Sequence, residues 1–151
     1  MGLGRTKAVP TLAVTDLKAA RRFYGEVLGF DEVKEISEEG AAMYRVGGES
    51  FLLVYERSTP SGSTATACSF AVEDVEASVD ELRQAGVTLE EYDIPELGIQ
   101  TKNGIATMGD FKSAWFRDPS GNILAIDDSL ALMERRGRQA RTSAPSEGLH
   151  A

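Results

Sequence analysis

The side chains able to do chemistry are few. The 151-residue chain has one histidine, His150, next to its last residue, and one cysteine, Cys68. Imidazole is the side chain that exchanges protons near neutral pH unaided. Without it in the body, a general base must be a carboxylate raised by burial, or a lysine or thiol lowered by its surroundings. The carboxylate pairs Glu38–Glu39, Glu90–Glu91 and Asp127–Asp128 are adjacent in sequence. Neighbours on a strand face opposite ways, so these pairs read as solvated edges rather than shared acid–base sites. Cys68 has no histidine or basic neighbour to ionise it, and alternation groups it with Phe70 and Val72, as a packing residue. Asp127, Asp128, Glu56 and Glu73 offer an all-carboxylate metal site, but each falls at a strand end, in water. Gly2-Leu3-Gly4 opens no helix of the kind a phosphate loop needs.

The bulk properties narrow the classes further. Apolar residues make up 42% and charged residues 26%, ordinary values for a globular domain, and no run approaches the roughly 20 apolar residues of a membrane span. The formal net charge is −8. Residues 134–151 hold four arginines against two glutamates, a net +2 that leaves −10 on the preceding body. An acidic body repels polyanions, which argues against a nucleic-acid ligand. The basic end, rich in Gly, Ser, Pro and Ala, reads as a solvated, disordered tail. A lone cysteine and an N-terminus without a signal-like apolar core lead us to expect a cytoplasmic protein.

The elements that must position these residues come in two rounds. "AVPTLAV" (8–14) alternates as a strand, and Thr15 or Asp16 caps a helix over 16–28 that Gly29 ends. A short strand near 30–35 and two strands joined by a Gly47-Gly48 turn follow. Breakers at 58–64 form a linker, and the order then restarts. "TACSFAV" is a strand, Asp74 caps a helix that Gly86 ends, "VTLEEY" is a strand, and "SAWFR" and "ILAID" flank the turn "DPSGN". Asp74 follows Asp16 by 58 residues and Ala125 follows Leu53 by 72. The second copy is therefore about 14 residues longer, and the excess lies in the excursion Asp93–Gly109. That excursion reads as a pocket-covering loop or as an extra edge hairpin, "GIQT" with "GIAT". The division expected is a lead at 1–7, a βαβββ module at 8–57, the linker, a second module at 65–133 and the tail. The fold class is α+β: two tandem βαβββ modules, each a curved mixed sheet with a helix on its convex face. The two free sheet faces should wall a shared pocket.

"VPTLAVTDLKAARRFYGEVLGF" and "WFRDPSGNILAI" resemble the vicinal oxygen chelate superfamily of glyoxalase I, bleomycin-resistance proteins and extradiol dioxygenases. The resemblance covers about residues 8–128. It implies paired modules around an open cleft, a homodimer with clefts in some cases shared between chains, and in enzymatic members a divalent metal held on the cleft-facing strands. Carried over by position, its ligands fall at Val9, Leu53, Ala67 and Ala125. None has a lone pair to offer a cation. The expectation is therefore a protein without cofactor or metal.

What the cleft offers instead is surface. Alternation places Val9, Thr11 and Ala13 on the concave side of the first strand, with Phe51, Leu53 and Tyr55 joining from the fourth. The second module contributes Ala67, Ser69 and Ala71. Tyr44 and Trp115 are further candidates whose facing alternation leaves open, and Met108 is a candidate from the excursion. Flat rings suit a planar or cationic ligand, and an acidic body would attract a cation. The leading expectation is a metal-free binding protein of the bleomycin-resistance type, holding an aromatic or amphipathic compound. The alternatives are an enzyme of the same superfamily (lyase, isomerase or dioxygenase) with an atypical metal site, or a structural module whose cleft serves a partner protein.

Overall fold

A computed structural model describes residues 2–143; His150 and the end of the tail lie outside the described residues. The first module runs β1 (Thr11–Val14), α1 (Leu17–Arg21), β2 (Asp31–Glu32), β3 (Ala41–Val46) and β4 (Ser50–Glu56). The second runs β5 (Thr66–Ala71), α2 (Val75–Gln84), β6 (Asp93–Ile94), β7 (Ile99–Lys102), β8 (Ile105–Met108), β9 (Phe111–Arg117) and β10 (Ile123–Asp127). Both helices start as the sequence dictates, for a local reason. The Asp16 carboxylate accepts the Ala19 amide at 3.1 Å and Asp74 accepts the Ala77 amide at 3.0 Å, each satisfying an orphan donor of the first turn. The first helix then widens into a π-helical stretch, Arg22–Val27, in which the Leu28 amide reaches back five residues to the Phe23 carbonyl.

The sheets have matching orders, β1-β4-β3-β2 and β5-β10-β9-β8-β7-β6. In each, the first strand runs parallel to the last strand of its module. The excursion extends the second sheet as edge strands, the plainer of its two readings. Two strand expectations need correction. "VTLEEY" contributes only the Leu89–Phe116 bridge, because β8 occupies the rest of that edge of β9. The hairpin after β3 has three loop residues, since Val46 pairs with Ser50. The tail is corrected as well: residues 134–143 are not disordered but continue α3 (Ser129–Ser143). Its buried Ala131 packs on the body, and Arg135 and Arg136 reach Glu73 and Asp110.

One main core joins the modules on their helix side. Leu12, Val14, Leu52 and Val54 pack into it with Val75, Phe116, Leu124 and Ile126. A polar joint at its edge ties the halves together. The carboxylate of Asp118, 4% exposed, accepts the Tyr24 hydroxyl at 2.7 Å, the Asn122 side-chain amide at 2.8 Å, and the Ser120 and Asn122 backbone amides at 2.9 Å each. Asn122 also donates to the Ala13 carbonyl at 2.7 Å. The "DPSGN" turn of one module thus grips the first helix and first strand of the other.

Candidate functional site

Strand alternation decides what reaches the face away from the helices. On β4, Leu52 and Val54 are buried in the main core, so half-buried Phe51, Leu53 and Tyr55 face the other way. On β1, Leu12 and Val14 point inward and Thr11 and Ala13 outward, with Thr11 in register with Leu53 and Ala13 with Tyr55. Thr11, Ala13 and Tyr55 line a groove of about 470 Å³, which Ala67 and Asn122 of the second module complete. Ala67 sits at a bulge: Thr66 pairs with Ile123 and Cys68 with Leu124, leaving Ala67 as the extra residue of β5. Ser69 is exposed on the same strand, in register with Ala125.

Trp115 and Met108 come together elsewhere. They belong to a second, smaller apolar cluster with Ala106, Ile123, Ala125 and Tyr92. Trp115 is 7% exposed and lies edge-on to Tyr92 at 5.5 Å between ring centroids, with its indole nitrogen donating to Thr66 Oγ1 at 3.2 Å. It backs the second sheet rather than lining the groove. The shared pocket walled by both sheets is therefore narrower than expected, with the groove belonging chiefly to the first sheet. Tyr44 is corrected outright. It faces the helix, 1% exposed in the main core, because β3 pairs with β4 so that Tyr44 stands opposite Leu52. Burial pushes its hydroxyl up to about 12, with Glu32 adding to the shift. Burial also raises the Cys68 thiol, which packs against the main core and is no activated nucleophile.

Several groove residues escape a strand-by-strand reading. Arg57 lines the groove from just past β4, and Thr59 and Ser61 from the linker; outside the groove, Arg45 sits over the Phe51 ring with its guanidinium carbon 5.0 Å from the centroid. Arg57 follows Tyr55 at the same alternation, a signal hidden because "RST" reads as the start of a loop.

The four positions where the resemblance implies a metal present hydrocarbon to the same faces. Val9 is 41% exposed just before β1, Leu53 pairs with Thr11, Ala67 borders the groove, and Ala125 is 3% exposed beside Trp115. Among the described residues, no group of three or more His, Cys, Asp or Glu is placed to hold an ion. The side chains at these four positions do not fit a divalent cation.

Paired strand–helix–strand modules, fused through their helices and open on the opposite face, define a class of small two-module domains. The chain belongs to the Glyoxalase/Bleomycin resistance protein/Dioxygenase superfamily, whose family model matches residues 6–126. The virulence protein STM3117 of Salmonella typhimurium is 28% identical over 120 residues, 76% of this chain and 78% of that protein. The crystal structure of UcmS2 matches with a TM-score of 0.62 at 23% identity, over 82% of this chain and 100% of that one. TnmS3, an antibiotic binding protein from Streptomyces sp. CB03234, matches with a TM-score of 0.58 at 20% identity, over 82% of this chain and 97% of that one. At such identities the structural likeness speaks to the fold. α3 lies beyond the matched span.

Proposed function

We propose that this chain is a binding protein that holds a small aromatic or amphipathic compound by stacking and enclosure, without a metal ion. The observation that carries the reading is the hydrocarbon at Val9, Leu53, Ala67 and Ala125, four positions where the superfamily's enzymes place metal ligands. The groove volume of about 470 Å³ lies within the roughly 300–1,000 Å³ usual for small-molecule sites. Tyr55 gives it an aromatic wall beside Ala13 and Ala67, with Thr11, Thr59 and Ser61 at its polar margins; Phe51 and Leu53 continue the same strand face beyond the groove, and Ser69 is exposed farther along β5. The antibiotic-binding relative TnmS3 supports the same class of function. The second cluster, with Trp115 and Met108, backs the other sheet. The protein acts as a homodimer in the cytoplasm.

The test is a thermal-shift screen of tag-free, chelator-treated protein against planar aromatic and amphipathic compounds. A ligand at 100 times its dissociation constant adds about 2.7 kcal/mol of stability. Tyr55→Ala is expected to abolish the shift and Cys68→Ala to leave it. A stoichiometric metal, retained on purification and required for the response, would sink the metal-free reading. Silence across a broad panel would sink the binding reading and return the chain to a structural role.

A further inference from the structure

Phe51, Leu53, Tyr55 and Arg57 follow one another at every second position, which sets them along one face of the strand. At about 3.3 Å per residue the row is roughly 20 Å long. Arg57 lies one residue past β4 yet stays in its register, because its amide donates to the Val14 carbonyl at 2.8 Å. Its side chain therefore keeps to the Tyr55 side and lines the groove. Every other polar side chain of the lining is uncharged: the hydroxyls of Thr11, Tyr55, Thr59 and Ser61, and the Asn122 amide. The neighbouring acid, Glu56, is engaged on the opposite side, accepting the Leu17 amide at 2.9 Å. At the far end of the row Arg45 covers the Phe51 ring. Neither arginine is in an ion pair among the described residues.

We infer that the groove selects a ligand carrying an oxyanion, such as a carboxylate, phosphonate or sulfonate. Arg57 receives the anion with the Thr59 and Ser61 hydroxyls, and the ligand's planar part lies on Tyr55 and Ala13, which stand in register across β1 and β4. This deepens the binding reading and rests on it. It reverses the cationic ligand that the net charge of −8 suggests. Long-range attraction fades beyond roughly 8–10 Å in physiological salt, whereas a guanidinium meets an oxyanion at contact through short, charge-assisted bonds. The ring face of Phe51, which would stack a cationic ligand, already carries Arg45.

Three probes of one shape separate the ideas: 2-naphthoate, 2-naphthamide and 2-naphthylmethylammonium, titrated calorimetrically into the full chain. The acid is expected to bind roughly tenfold tighter than the amide, and the ammonium most weakly. Arg57→Gln should erase the preference for the acid while leaving the amide's affinity unchanged, and Arg57→Lys should restore part of it. Arg45→Gln should leave the preference in place. Because Arg57 is exposed, melting of Arg57→Gln should match the parent, which separates a binding defect from a folding one. An amide as tight as the acid, or a preference surviving Arg57→Gln, overturns the anion assignment while binding itself stands. Failure of all three probes overturns the binding reading and this inference with it.

Discussion

Two tyrosines, Tyr24 and Tyr44, lie side by side in the core with ring centroids 6.0 Å apart, and they should answer one substitution in opposite ways. Their exposures are 0% and 1%. Replacing either by phenylalanine removes one oxygen and leaves the ring packing in place. In Tyr24→Phe the lost oxygen is the donor to Asp118 at 2.7 Å. That carboxylate is 4% exposed and is in no ion pair among the described residues. A hydrogen bond to a buried charge is worth about 1.5–3 kcal/mol. Three donors remain on Asp118, which argues for the middle of that range, about 2 kcal/mol. For a chain of this size that is a fall in Tm of about 4–8 °C. Tyr44 differs because its buried hydroxyl has no hydrogen-bond partner. Tyr44→Phe discards a desolvated group that gets nothing in return, so the change should be neutral or stabilising by up to about 1 kcal/mol.

Urea unfolding followed by Trp115 fluorescence and by far-ultraviolet circular dichroism measures both variants on one scale. Unchanged m values show that the same surface is exposed on unfolding. The reasoning fails if Tyr24→Phe shifts stability by less than about 0.5 kcal/mol. It fails equally if the two variants lose the same amount, since the hydroxyl's partner would then be irrelevant.

The same tyrosines set an alkaline limit. Burial raises Tyr44 from 10.0 to about 12 and raises Tyr24 further, with Asp118 adding to the latter. A group whose pKa is higher in the folded state stabilises fully below its unfolded value and loses that contribution as pH climbs through the folded one. Stability should therefore hold to about pH 10, fall between about 10 and 12, and fall less steeply in Tyr44→Phe; equal slopes by denaturant titration would contradict this. Gly104 and Gly98 both have positive φ, +80° and +67°, but only Gly104 is crowded, with an added Cβ 2.8 Å from the Leu89 Cβ. Gly98→Ala should cost about 1 kcal/mol and Gly104→Ala at least about 1 kcal/mol more; equal midpoints in urea would refute the crowding.

What could be read from the sequence is what depends on neighbours along the chain. Asp16 and Asp74 announce their helices because a capping carboxylate acts on an amide three residues away. Phe51, Leu53 and Tyr55 separate from Leu52 and Val54 because strand alternation is local. Tyr44 was beyond reach: in "AAMYRV" both alternating sets contain apolar residues, and the pairing with β4 chooses between them. The tail misleads for a similar reason. Four arginines and Gly137 look like a solvated end, while the helix is held by Ala131 and by acids that arrive from far away in sequence. Arg57 is hidden by a boundary, since composition ends the strand one residue before the hydrogen bond to Val14 does.

The duplication makes each module a part of the other's site. The Asp118–Asn122 turn follows β9, yet its hydrogen bonds end on Tyr24 of the first helix and on Ala13 of the first strand. Ala13 and Thr11 form one bank of the groove, and Asn122 and Ala67 come from the second module. A buried carboxylate bonded to four donors resists displacement, because any shift between the modules would strand a charge away from water. The polar joint therefore holds the groove's two contributors in register, and the apolar core alone, being non-directional, would not. The expense of burying Asp118 is the condition for a groove whose two banks keep their register.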